Sequence, residues 1–382
     1  MPSSQHQGMA PRRILAIAVV LAAVVMVLAW SPVRRHYHAA HLLAGLARPA
    51  ASATGVPSQA PALEETELQV PREGRSIRAR IYRIAGGARR PGVVVAHGVH
   101  YQGIDERRLV PFARALAREG LVVLTPELRE LADYRISEES ERDIHQAALY
   151  LSSRGDLVDS PRVGILGFSF AGGLSLVAAA EPDLASHLAW VMSIGGHHDL
   201  ARVLRFFADD EIPSPRGVVK LQAHEYGLVV LAYGNVDAFV PPEDQEAARD
   251  TLRAWLREDR PLAQKQAARC GTEPCRHLFE LVREGRTKEL GPRIRELIAA
   301  HQDELARLSP RGRLSGIPVP IYLLHGATDS VIPPTESEWA AAELGDRPHV
   351  LLISPLIQHV EVDRPAGWRD KLALVHFLAS IM

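Results

Sequence analysis

The residues best suited to chemistry in this sequence are a serine, an aspartate and a histidine, each placed just after an apolar run. Ser169 lies within GFSFAGG, Asp329 within LLHGATDSVIP and His359 within IQHVEV. A histidine can take the proton of a serine hydroxyl, and a carboxylate can hold that histidine in the required tautomer and stabilise its charged form. The three residue types therefore predict nucleophilic catalysis through an acyl-serine.

The segment around Ser169 predicts a sharp turn between a strand and a helix. The apolar run RVGILGF precedes the serine, and the small-residue run AGGLSLVAAA follows shortly after it. Small residues on both sides allow a tight turn that presents the serine at the top of a sheet. The amides and the positive dipole end of the following helix then face the place where an oxyanion would form.

Apolar runs alternate with helical patterns from about residue 64 onward. The continuous runs are PGVVVAHG, LVVLTP, RVGILGFS and HLAWVMSIGG, and the same rhythm resumes with VPIYLLHG and HVLLIS. Such runs are typical of parallel strands that helices cover on both faces. Two alternating segments at the start, ETELQVPR and SIRARIYRI, predict antiparallel strands at the margin of this sheet. The predicted fold class is α/β with a mostly parallel, doubly wound sheet.

Residues 197–315 break this rhythm. Segments such as RDTLRAWLRED and PRIRELIAAHQDELARL carry apolar residues at helical spacing, and prolines divide the region into pieces. We therefore expect a helical cap inserted into a sheet domain whose two parts are residues 64–196 and 316–382.

The motifs resemble those of the α/β-hydrolase superfamily, in particular its serine esterases and lipases. The family has the turn Gly-x-Ser-x-Gly, and this sequence departs from it only by Ala171, which Gly172 follows. The chain order Ser169, Asp329, His359 is the order of the family's catalytic triad. A second small departure is Gln358, where the family more often has glycine.

The resemblance also implies an oxyanion hole. In the family, the residue after a His-Gly pair supplies one backbone amide, which here is Val99, and the residue after the serine supplies the other, which is Phe170. The side chain of His97 is expected to brace this loop, and that of His325 to brace the loop of the acid.

Several other polar residues could suggest a metal site or a cofactor site. His197, His198 and Asp199 suggest a metal site, but no further ligand can be identified, so no metal is predicted. Asp199 stays as an alternative for the triad acid. The sequence has no phosphate-binding loop and no dinucleotide fingerprint, so no cofactor is expected.

The charge and the cysteine content of the sequence limit the partners and metal sites that it could have. The formal net charge is −1, which argues against a nucleic-acid partner. The two cysteines, Cys270 and Cys275, exclude a four-thiolate zinc site. They are close enough to form a disulfide if the domain is exported and would remain thiols in a reducing cytoplasm. The oligomeric state is not indicated.

The apolar run over residues 14–30 predicts a membrane element. Its 17 residues fall within the length of about 17–25 that a spanning helix needs and exceed the usual apolar core of a signal peptide. We expect a single-pass anchor over 14–33 after an N-terminal tail at 1–13, with a cleaved signal as the alternative. Arginines flank the run on both sides, so the positive-inside rule does not fix its orientation. Export is preferred because a lone N-terminal anchor commonly acts as an export signal.

Residues 34–63 are expected to form a flexible linker, since residues 48–63 are rich in Ala, Pro and Ser. Its histidines, His36, His38 and His41, are not expected to bind metal, because no carboxylate or cysteine converges on them in the sequence.

The expected function is hydrolysis of a carboxylic ester or thioester by a membrane-attached α/β-hydrolase that needs no cofactor. A peptidase or an acyltransferase with the same triad is an alternative, because these enzymes differ in pocket and acceptor rather than in catalytic residues. A third hypothesis is a catalytically inactive, membrane-tethered binding protein. An anchor would suit an amphipathic or lipid-derived substrate, and we retain that as a hypothesis.

Overall fold

The computed structural model describes residues 31–46, 62–358, 361–362 and 367–381. Its strands are β1 (Leu63–Arg72), β2 (Arg75–Ile84), β3 (Gly92–Ala96), β4 (Val122–Pro126), β5 (Val163–Phe168), β6 (Leu188–Ile194), β7 (Glu211–Ser214), β8 (Gly217–Lys220), β9 (Ile321–Gly326), β10 (His349–Ser354), β11 (Ile357–Gln358) and β12 (Glu361–Val362).

Helices lie between these strands and at both ends of the described chain. They are α1 (residues 31–46), α2 (Leu109–Arg118), α3 (Arg129–Ala132), α4 (Glu138–Ser153), α5 (Phe170–Ala179), α6 (Leu200–Asp209), α7 (Tyr226–Gly234), α8 (Gln245–Leu256), α9 (Arg260–Ala267), α10 (Glu273–Arg283), α11 (Gly291–Ala300), α12 (Gln302–Arg307), α13 (Thr335–Leu344) and α14 (Trp368–Ala379).

Eight strands form one sheet in the order β1-β2-β4-β3-β5-β6-β9-β10. Strand β2 is antiparallel to both of its neighbours, and every other neighbouring pair in this sheet is parallel. All residues of β3 and β4 are buried, as expected for Val-rich strands that helices cover on both faces. The predicted mostly parallel sheet with an antiparallel margin is confirmed.

The parallel strands give this sheet two distinct edges. We call the edge where they end the carboxyl edge, and the edge where they begin the amino edge. Ser169 follows the end of β5, the loop that starts at His97 follows β3, and Asp329 follows β9. The sheet topology therefore brings all three segments to the carboxyl edge, where ligands of open α/β sheets bind.

The segment between β6 and β9 contains helices α6 to α12, which lie within the range where the sequence predicted an inserted helical cap. It also contains an antiparallel hairpin of β7 and β8, which the sequence analysis did not predict. Its strands are only four residues each, and β8 is exposed throughout, so they carry little of the alternating apolar pattern that reveals a strand. Within this segment, Cys270 and Cys275 form a disulfide.

The expected flexible linker over residues 34–63 is wrong for residues 34–46, which belong to helix α1. Ala39 and Leu42 on this helix are fully buried against the sheet domain. The apolar positions 39, 42, 43 and 46 follow helical spacing, a pattern that the low complexity of the neighbouring residues obscured. Residues 47–61 of the expected linker lie outside the described residues.

The predicted anchor over 14–33 also lies almost entirely outside the described residues, as does the N-terminal tail. Among the helices that the structure does describe, none combines the length and the apolar character that crossing a membrane would require.

Candidate active site

Ser169 adopts a strained backbone conformation at the turn between β5 and α5. Its φ is 55° and its ψ is −134°, a region that residues with a side chain rarely occupy. Such a conformation costs about 1–3 kcal/mol and persists only when the surroundings enforce it. Here the Ser169 amide donates to the carbonyl of Ile194 at 2.8 Å, and the Gly172 amide donates to the carbonyl of Ser169 at 2.8 Å.

The glycines around the serine are required by close packing. A Cβ on Gly167 would lie 2.3 Å from the carbonyl oxygen of Ala171, and one on Gly172 would lie 2.6 Å from the hydroxyl of Ser193. The helix thus begins immediately after the serine and lies directly against the strand. The sequence pattern GFSFAGG encodes this tight strand-to-helix turn, including the tolerated alanine, whose side chain is fully buried.

The loop after β3 lies against the nucleophilic serine. A Cβ on Gly98 would lie 3.2 Å from the Cβ of Ser169, so only a small residue fits there without displacement. Nε2 of His97 accepts from the amide of Leu128 at 3.0 Å, and its Nδ1 donates to the carbonyl of Gly98 at 2.8 Å. Burial lowers the pKa of His97, so the neutral imidazole is favoured. His97 therefore braces the loop, as expected.

Two backbone amides at this place are free to bind an anion. Val99 directly follows Gly98, and Phe170 opens helix α5 after the serine. Within the described part of the chain, neither of these amides donates to a protein acceptor. The structure thus brings both residues predicted for the oxyanion hole next to Ser169.

Asp329 is fully buried in the loop after β9. Its Oδ1 accepts from the amides of Val331 at 2.8 Å and Ile332 at 3.0 Å, and its Oδ2 lies 3.5 Å from Nε2 of His325. The two backbone amides orient the carboxylate and stabilise its charge.

His325 shapes the loop that carries Asp329. Its Nε2 donates to the carbonyl of Ile332 at 2.7 Å, and its Nδ1 accepts from the hydroxyl of Ser337 at 2.7 Å. The imidazole thus ties the end of β9 to helix α13, which is the bracing role predicted for it.

His359 lies outside the described residues. The chain is described up to Gln358, the residue directly before it, at the end of β11. Strand β10 is parallel to β9, with Ser354 opposite Gly326, so the segment that leads to His359 departs from the same edge as the loop of Asp329. The structure brings Ser169 and Asp329 to the carboxyl edge of the sheet. The role of His359 as the base stays a prediction.

Asp199, the alternative acid, has another role in the structure. Its Oδ1 accepts from the amide of Arg202 and caps helix α6, and its Oδ2 pairs with Arg311 at 2.8 Å. Burial by itself would raise the pKa of Asp199, but the hydrogen bonds from Arg311 and Arg202 hold it below its ordinary value. The neighbouring His197 and His198 bond to the carbonyl of Leu308 and to Glu343. No cluster of metal-binding side chains is present in the described ranges.

Tyr226 of the inserted segment contacts the loop after β3, a contact that the sequence analysis did not identify. The hydroxyl of Tyr226 lies 3.5 Å from the carbonyl of Val99, and the ring of Tyr226 packs edge-on against Tyr134. Burial raises the pKa of both tyrosines, so both phenols remain protonated donors. Ser169 itself is only 5% exposed. In the sequence, Tyr226 opens an apolar helix and is indistinguishable from a core residue.

The chain was compared with known families, curated proteins and solved structures, and only solved structures match it. No family model matches the sequence, and no curated protein matches it. The chain is similar in structure to a Pyrobaculum calidifontis esterase at 17% identity, covering 98% of each chain with a TM-score of 0.49. It is also similar to a puromycin-hydrolysing peptidase of Mycobacterium tuberculosis at 18% identity and a TM-score of 0.48, and to an acylaminoacyl peptidase at 14% identity and a TM-score of 0.48. The matches cover 85% and 82% of this chain but only 39% and 40% of those longer proteins.

The class of fold is defined by the sheet itself. The order β1-β2-β4-β3-β5-β6-β9-β10 with β2 as its one antiparallel member, and a serine on a strained turn after β5, is the arrangement of α/β-hydrolases. The chain has the α/β-hydrolase fold, and the resemblance seen in its sequence motifs is confirmed at this level.

Proposed function

We propose that this protein is a serine hydrolase that cleaves a carboxylic ester or thioester through an acyl-serine. The observation that supports this most strongly is the strained backbone of Ser169, which is enforced by hydrogen bonds and lies beside the amides of Val99 and Phe170, which donate to no acceptor in the described part of the chain. Backbone strain of this kind clusters at active sites, where it holds reactive groups in a preorganised position.

The proposed reaction has two halves. The Oγ of Ser169 attacks the carbonyl carbon while His359 takes its proton, and the amides of Val99 and Phe170 stabilise the tetrahedral oxyanion. His359 then gives that proton to the leaving alcohol or thiol, and the acyl group stays on Ser169. Water, deprotonated by His359, attacks the acyl-serine, and the carboxylic acid leaves as the serine regains its proton.

Asp329 acts on His359 rather than on the substrate in this mechanism. A buried carboxylate that is fixed by two amides can hold the imidazole in one tautomer and stabilise its protonated form. The inserted segment between β6 and β9 acts as the cap of the proposed site. Because Ser169 is only 5% exposed, we expect the cap to open when substrate enters and its lining to set the acyl or alcohol preference.

The proposed chemistry is tested with a fluorophosphonate probe, which labels activated serines. We expect the wild-type chain to be labelled, and Ser169→Ala and His359→Ala to lose the label. Ser153→Ala, which removes an exposed serine at the far end of helix α4, is the matched control and should be labelled like the wild type. Failure of the folded wild type to react would refute the proposal.

We also propose that residues 14–33 anchor the protein in a membrane with the hydrolase domain exported. The 17-residue apolar run supports the anchor, and the disulfide between Cys270 and Cys275 supports an oxidising compartment. The wild-type chain should remain in the membrane fraction after alkaline carbonate extraction, and Val25→Arg should be released. Release of the wild type would contradict the anchor, and recovery of a chain that lacks the run would favour a cleaved signal.

A further inference from the structure

Helix α1 docks at the amino edge of the sheet. The two carboxylate oxygens of Glu119 lie 2.6 Å from Nδ1 of His38 and 2.5 Å from Nδ1 of His41. Glu119 is the last residue of the turn that ends α2, only three residues before β4 begins at Val122, and Val122 pairs with Gly92, the first residue of β3. The contact is therefore next to the starting points of two parallel strands.

A second contact places the N-terminal half of α1 at the same edge. Nε2 of His36 lies 3.1 Å from Nδ1 of His376, one turn from the end of α14. The last turn of α14 is itself at the amino edge, because the carbonyl of Ser380 accepts from the hydroxyl of Tyr322 near the start of β9. Both halves of α1 are thus fixed at the amino edge.

The docking of α1 is too extensive for a loose tether. Ala39 and Leu42 are buried, and they belong to an apolar cluster that also contains Val93, the second residue of β3, and Leu121, which directly precedes β4. Glu119, which holds two histidines of α1, is itself only 4% exposed. The direction in which the chain enters α1 is therefore fixed relative to the sheet.

The outer surface of α1 suits a membrane interface. Val33 and Tyr37, one turn apart, are 61% and 65% exposed. Arg34 and Arg35 lie on the same first turns and form no ion pair with a carboxylate in the described parts of the chain. The apolar run ends at residue 30, directly before this helix. An aromatic residue and arginines beside an apolar run are typical of a bilayer boundary.

Ser169 lies at the opposite edge. Strand β5 has six residues between its start at the amino edge and Ser169, which corresponds to about 20 Å at about 3.3 Å per residue. Helix α1 adds a diameter of about 10 Å between the sheet and whatever lies beyond it. The serine and the entry point of the anchor are therefore separated by roughly 30 Å.

We propose that the hydrolase domain is held with its amino edge toward the membrane, so that the active site opens away from the bilayer and takes water-soluble esters rather than lipids of its own membrane. The proposal rests on the proposed anchor and on the proposed chemistry of Ser169. It replaces the hypothesis of a lipid-derived substrate, because a bilayer lipid would have to leave the membrane and cross the height of the domain to reach the serine.

Energy transfer from the protein to headgroup-labelled lipids tests the orientation of the full-length chain in nanodiscs. The only two cysteines are bridged, so each introduced cysteine is the sole thiol to label. The near-membrane reporter is Ala40→Cys on α1, and the far reporter is Leu262→Cys, a 40% exposed position on α9. A dye-bearing fluorophosphonate on Ser169 reports the site directly. We expect transfer from Ala40→Cys to be several-fold more efficient than from the other two.

Equal transfer from the Ser169 adduct and from Ala40→Cys would overturn the proposal. A dye on Ala22→Cys, tested with quenchers carried by the lipids, distinguishes failure of the anchor from failure of the orientation. The dye is quenched if the apolar run is inserted in the bilayer and is not quenched if the run lies outside it. If Ser169 does not take the probe, the proposed chemistry fails, and Leu262→Cys still decides the orientation.

A second test compares two substrates that carry the same acyl group, one a water-soluble ester and the other a phospholipid. A short-chain, water-soluble ester should be hydrolysed at the same rate in nanodiscs and in detergent. The same acyl group on a phospholipid of the enzyme's own nanodisc should be hydrolysed at least tenfold more slowly than the soluble ester. Equal hydrolysis of both would overturn the proposal.

Discussion

Replacing Ser169 with glycine is expected to stabilise the fold while it abolishes the chemistry. The backbone at Ser169, with φ of 55° and ψ of −134°, is one that glycine adopts freely and other residues adopt only under strain. Ser169→Ala keeps the Cβ and therefore keeps the strain, whereas Ser169→Gly releases it. Both variants lose the hydroxyl, so the difference between their free energies of unfolding reports the contribution of the backbone conformation.

The magnitude follows from two opposing terms. Release of the strain favours glycine by about 1–3 kcal/mol, and the larger conformational entropy of glycine in the unfolded chain disfavours it by about 0.5–1 kcal/mol. We expect Ser169→Gly to be more stable than Ser169→Ala by about 1–2 kcal/mol. At an ordinary helical position the sign is reversed, because glycine is about 1 kcal/mol less favourable than alanine there.

The free energy of unfolding is measured by urea titration of the two variants in the same detergent. Ala148, a buried residue in the middle of α4, provides the matched control, since Ala148→Gly should be destabilising by about 1 kcal/mol or more. If Ser169→Gly proves less stable than Ser169→Ala, the backbone at Ser169 is not strained, and the main support for its catalytic role is lost.

Four further outcomes are expected. Gly98→Ala places a Cβ 3.2 Å from that of Ser169 and should lower kcat by tenfold or more without a comparable change in stability, measured with a soluble ester. Asp329→Asn should lower kcat by about 10⁴ while urea unfolding stays cooperative, and an unchanged kcat would remove Asp329 from the mechanism. Glu119→Gln should speed hydrogen exchange of the α1 amides severalfold but not those of α5, whereas equal exchange in both would refute the docking role. Burial raises the pKa of Glu141 from 4.5 to about 7, so its charged form is disfavoured in the folded state. Glu141→Gln should therefore be more stable than the wild type by about 1–3 kcal/mol at pH 8 and equal to it at pH 4, as measured by urea unfolding at both pH values.

The sheet and the serine turn could be predicted because their determinants are local in the sequence. A strand buried on both faces must be a continuous apolar run, and the turn at Ser169 needs small residues where the strand and the helix touch, as Gly167 and Gly172 show. The bracing roles of His97 and His325 were also predictable, because each stands at the end of a buried strand where its imidazole can bond the adjoining loop.

The features that sequence reasoning missed depend on contacts between distant segments. Helix α1 is short and rich in alanine and histidine, and its docking depends on Glu119, some 80 positions away along the chain. The contact of the inserted segment with the loop after β3 has the same origin, since Tyr226 lies against Val99, which is 127 positions away along the chain. A single sequence carries no signal for such pairings, because neither partner is unusual in its own local pattern.

The measurement that tests the proposed mechanism most directly is trapping of the acyl-enzyme. The full-length chain is mixed with a 4-nitrophenyl ester, quenched with acid within the first turnovers, and analysed by intact mass and peptide mapping. We expect an added mass equal to one acyl group on the peptide that contains Ser169, and no such mass in Ser169→Ala. Turnover without any acyl adduct, or an adduct on another residue, would contradict the mechanism.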